Sequence, residues 1–84
     1  MDQTEYFRRR VMGERPYISL EWCERTVCEP EATEVQPDGR VRHWRFIPEL
    51  RKHLRVVPLE DRRTLHNAFP DRSFIPAKRT PPPS

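Results

Sequence analysis

Eighty-four residues, 35% hydrophobic content and a net charge of +3 support one domain with one small core. A chain this short buries only about 60% of its unfolded surface on folding. No apolar run is long enough to cross a bilayer and no signal-peptide pattern opens the chain, so a cytoplasmic protein with no membrane partner is expected. The charge is unevenly spread. Residues 1–39 hold 5 arginines and 9 acidic residues, a net of −4, whereas residues 40–84 hold 11 Lys/Arg and 4 acidic residues, a net of +7. Such a split suggests two surfaces with different partners.

In chain order, Asp2 and Glu5 have capping-box spacing at the start of a first helix. Phe7 and Val11 form its apolar side, Gly13 stops it and Pro16 reinforces the break. The run Arg8–Arg10 reads as its solvated face. A second helix starts at Ser19, a good N-cap, with Glu21 and Glu24 favouring the positive end of the dipole and Pro30 ending it. Leu20, Cys23 and Val27 fall within about 60° on the helical wheel and should face the core. Trp22 projects from nearly the opposite side and is a candidate contact for a partner protein. Cys23 and Cys28 lie roughly 140° apart on the same helix, which disfavours a disulfide and points to two reduced, partly buried thiols. No Cys or His pair has metal-ligand spacing, so neither metal nor other cofactor is expected.

A first strand spans Thr33–Gln36, and Pro37, Asp38 and Gly39 signal a hairpin turn. Strands follow at Arg40–Ile47, His53–Leu59 and Thr64–Phe69, with polar loops between them. The expectation is an α+β domain over residues 1–74, with two N-terminal helices packed on a four-stranded antiparallel meander. Residues 75–84 read as a Pro-rich basic tail.

Alternation then sorts the side chains. Leu54, Val56, Leu65 and Phe69 share the apolar parity, which assigns Arg55 and His66 to the open face. With Trp44 and Phe46 inward, His43 and Arg45 join them; the reverse register would present Arg40, Arg42 and Trp44 instead. Either choice leaves a basic sheet carrying imidazoles. Cleavage of RNA by attack of a 2′-hydroxyl on the adjacent phosphate needs a base, an acid and cations to hold the developing charge. Histidine titrates near neutral pH, and an arginine fork grips two phosphate oxygens. The candidate catalytic residues are His66, Arg55 and His43, with Arg42, Arg45, His53 and Arg72 as RNA contacts.

Two helices, a strand meander, basic residues within strands such as Gly39–Trp44 and Leu54–Val57, and a last strand Leu65–Arg72 resemble the RelE/ParE/BrnT type of small bacterial toxin. The resemblance covers residues 5–74 and rests on element order and pattern. It implies a sequence-limited endoribonuclease, often ribosome-associated, neutralised by a small acidic antitoxin. The chain lacks the terminal tyrosine found in some such toxins, since Tyr6 and Tyr17 are both N-terminal. Two other readings compete with the nuclease. One is a non-catalytic module that docks nucleic acid or an acidic protein on the basic sheet; the other is an accessory subunit held through Trp22.

Overall fold

The computed structural model describes residues 1–75. The chain opens with a two-residue strand, β1 (Asp2–Gln3), followed by a π-helical segment, Phe7–Gly13, and one α-helix, α1 (Leu20–Cys28). Four strands follow: β2 (Ala32–Val35), β3 (Val41–Ile47), β4 (Lys52–Pro58) and β5 (Thr64–Asp71). The protein is therefore α+β, as expected, but the sheet has five strands in the order β1-β5-β4-β3-β2. Strands β2 to β5 form the antiparallel meander, and β1 runs parallel to β5 through Asp2↔Thr64 and Gln3↔Leu65. The expected four-stranded, purely antiparallel sheet is thus corrected, and a strand precedes the helices. Apart from Ile75, the expected tail 75–84 lies outside the described residues.

Local chemistry explains most boundaries. The Ser19 hydroxyl accepts from the Glu21 N–H at 3.2 Å, satisfying one of the otherwise unpaired donors at the start of α1. At the first helical segment the capping side chain is Thr4, whose Oγ1 accepts from the Phe7 N–H at 3.0 Å; Asp2 is engaged in β1 instead. Gly39 closes the β2–β3 hairpin at φ 91°, and the Asp38 carboxylate accepts from the Arg40 N–H. In the β4–β5 turn the left-handed residue is Arg62 (φ 58°), and Asp61 organises the turn by accepting from the N–H groups of Arg63 and Thr64.

The main core lies between the helices and one face of the sheet. Phe7 and Val11 of the π-helical segment, Ile18 and Cys23 meet Ile47, Leu54, Val56, Leu65 and Ala68. Each fully buried aliphatic side chain here contributes about 1.5–3 kcal/mol relative to exposure. Burial pushes the Cys23 thiol up to about 12, whereas Cys28 is exposed rather than partly buried. Trp22 does not project into solvent: it is half-buried and packs against this core.

A second cluster occupies the other face. Trp44 is fully buried there between Ala32 and Phe74, with the Phe74 ring stacked at 5.0 Å. The segment after β5 therefore crosses the face that alternation alone leaves open.

Candidate functional site

Strand register assigns each candidate residue to a face, because directly paired residues of neighbouring strands project the same way. His43 pairs with Val56, and Arg45 pairs with Leu54, so both lie on the helix side. The reverse of the preferred β3 register is the one adopted. His43 is buried, its Nδ1–H donates to the Val41 carbonyl at 2.9 Å, and desolvation holds its pKa below the usual value. Arg45 donates to the Glu29 carbonyl at 2.7 Å. Neither residue shares a face with Arg55, which corrects the expectation that His43 and Arg45 join Arg55 on the open side of the sheet.

The face away from the helices carries Arg42, Trp44, Phe46, His53 and Arg55. Arg55 pairs with Trp44 on one side and Phe69 on the other. Its guanidinium carbon lies 4.2 Å from the Phe69 ring centroid, and Nη1 lies 3.9 Å from Asp71 Oδ2. Asp71 also accepts from Trp44 Nε1 at 2.9 Å and from the Ser73 hydroxyl at 2.7 Å. Desolvation pushes the Asp71 pKa up, but the Trp44 and Ser73 bonds and the Arg55 charge outweigh it and hold the carboxylate low. Arg42 is engaged by Glu34 at 2.7 Å and by Gln36. His53 sits between the rings of Phe46 and Phe74, 3.5 Å from Glu31.

His66 owes its position to a β-bulge. The β4–β5 register passes from Val57↔Asn67 to Pro58↔Leu65, leaving His66 as the extra residue. Leu65 and Ala68 can then both enter the core, and Phe69, expected among the helix-facing residues, turns to the Arg55 side. Bulges re-aim side chains in this way. The His66 ring stacks on Tyr6 at 4.9 Å, and its Nδ1 is 3.1 Å from Thr4 Oγ1. Nε2 has no partner among the described residues. Burial, and then the nearby Arg40 charge, hold the pKa of His66 below its usual value, which favours the neutral ring. Asn67, which the sequence did not single out, faces the Arg55 side opposite Val57.

Arg72 lies apart from this group. It lines a cleft of about 480 Å³ with Arg15, Tyr17, Lys52 and Phe69, at the part of β5 beyond the reach of β1. Trp22 lines a separate groove with Arg25, Arg45 and Phe46. Among the described residues, no group of three or more His, Cys, Asp or Glu side chains is placed to hold a metal ion. No helix among them is long and apolar enough to cross a membrane.

No family model matches the chain, and no curated protein or solved structure matches it either.

Proposed function

We propose that this protein is a metal-independent endoribonuclease with His66 as its general base and with Arg55 among the cations that stabilise charge on the phosphate. The observation that supports this most directly is the held imidazole. Thr4 Oγ1 accepts from Phe7 N–H and lies 3.1 Å from His66 Nδ1; in the tautomer with the proton on Nδ1 it accepts from the ring as well, and Nε2 is then the basic nitrogen. A base oriented by a second side chain, with its reactive nitrogen open, is the arrangement that proton abstraction requires.

In the reaction, Nε2 takes the proton of an RNA 2′-hydroxyl as that oxygen attacks the adjacent phosphorus. The P–O2′ bond forms, the P–O5′ bond breaks, and the proton ends on the departing 5′-oxygen. The products are a 2′,3′-cyclic phosphate and a free 5′-hydroxyl. Negative charge on the non-bridging oxygens calls for guanidinium groups, worth most where water is excluded. His43 has no part in this scheme.

The test is incubation of purified protein with a short single-stranded RNA in excess EDTA. Cleavage leaving 2′,3′-cyclic ends is expected, and His66→Ala should reduce the rate by about 10²–10⁴, the usual contribution of a general base. Unchanged cleavage by His66→Ala in a folded protein would remove His66 from the chemistry. Binding without any cleavage by the wild type would leave a non-catalytic RNA-binding module.

A further inference from the structure

The cleft beside the free edge of β5 collects side chains suited to a nucleotide. Three cations, Arg15, Lys52 and Arg72, line it together with Tyr17 and Phe69, and no carboxylate lines it. Among the described residues none of the three cations forms an ion pair, while other arginines of the chain, Arg9, Arg10, Arg25 and Arg42, are matched to Glu. Arg15 donates to the Arg10 carbonyl, which fixes its guanidinium without neutralising it. Tyr17 is 56% exposed, so part of its ring is open to a ligand. Pro70, also on the cleft wall, supplies no N–H to this edge, which disfavours its use for pairing with another strand.

From this juxtaposition we infer that the cleft is a binding track for single-stranded RNA, with Arg15, Lys52 and Arg72 on successive phosphates and Tyr17 stacked under an unpaired base. The inference rests on the ribonuclease reading for its choice of RNA and adds a site to it. Phe69 links the two places. It lines the cleft, and its ring carries the Arg55 guanidinium on the other face of the sheet, so a strand lying in the cleft passes the edge of β5 beyond which Arg55 lies. Unpaired bases are required because a ring such as Tyr17 can stack only on a base released from a duplex.

The experiment measures anisotropy of a labelled ten-nucleotide single-stranded RNA, alongside its duplex form, with the full chain carrying His66→Ala to prevent cutting. Affinity for the single strand should fall steeply with salt, and Arg72→Ala or Lys52→Ala should each flatten the log–log slope by about 0.7. Tyr17→Ala should weaken binding about tenfold with little change in slope. Circular dichroism melts of these surface variants establish that they fold. Equal affinity for the duplex, or unchanged affinity in the Arg15→Ala/Arg72→Ala double variant, would overturn the track. Loss of binding in that double variant, together with no cleavage by wild-type protein, would retain the track and dismiss the nuclease. Cleavage abolished by His66→Ala but unaffected, in KM as well as rate, by the double variant would do the reverse.

Discussion

At the scale of single residues, two histidines that look alike in sequence have opposite fates. His43 and His66 both sit within strands among apolar neighbours, yet one is buried on the helix side of the sheet, at the wall of a cleft with Val27 and Arg62, and the other is held at the N-terminal segment with a nitrogen open. Both have folded-state pKa values below the ordinary value of 6.5. The sign of their effect on stability follows directly. Well above pH 6.5 both are neutral in folded and unfolded chains and contribute no pH dependence. As pH falls below 6.5 the unfolded chain binds protons that the folded one resists, so stability is lost until the folded pKa is reached. His43→Leu removes one of these two groups while keeping a bulky side chain in the core. Denaturant titrations between pH 7 and 5 should show a flatter decline than wild type, and RNA cleavage at pH 7 should be unchanged. A large drop in cleavage by this variant would return His43 to the mechanism.

At the scale of elements, the sequence was most legible where one local interaction dominates. Ser19 and Gly39 act as their residue types suggest, because capping and a left-handed turn depend only on near neighbours. The helix-facing parity of Leu54, Val56 and Leu65 also follows from alternation. Alternation failed after Leu65, because a bulge adds a residue without any compositional mark, moving Ala68 into the core and Phe69 out of it. It could not choose the β3 register either, since Trp44 finds a buried environment under Phe74 that no pattern within β3 reveals. β1 was invisible because two residues carry no periodicity. That short strand nevertheless matters, since it delivers Thr4 to His66. Thr4→Ala should remove both the cap on Phe7 N–H and the hold on His66 Nδ1. A loss of about 1 kcal/mol is expected from the cap, or about 4–8 °C in Tm, with a further fall in kcat at saturating RNA. Thr4→Ser, which keeps the hydroxyl, should restore both. A kcat for Thr4→Ala equal to that of wild type would show that the Thr4 contact does not position the ring.

At the scale of the whole molecule, the helices cover one face of the sheet and the segment around Phe74 covers part of the other. The second cover is small, so its contribution concentrates in a few contacts. Phe74 stacks on Trp44 and approaches His53 at 4.5 Å, while Ser73 donates to the same Asp71 that receives Trp44 Nε1. Asp71 thus ties the segment to the sheet, and its lowered pKa means that this tie is complete above the ordinary carboxylate value of 3.8 and weakens only in more acid solution. Near neutral pH the cover should therefore depend on the aromatic contact. Phe74→Ala removes a nearly buried ring and leaves a cavity over Trp44, a change that costs about 3–5 kcal/mol when the surroundings do not collapse. In a Trp22→Phe background, where Trp44 is the only indole, the emission maximum should shift to the red and the urea midpoint should fall. Phe74→Leu, which refills most of the volume, should lie between the two. Unchanged emission and midpoint in Phe74→Ala would mean that this segment does not cover Trp44 in solution, and the face bearing Arg55 would then be open along its whole length.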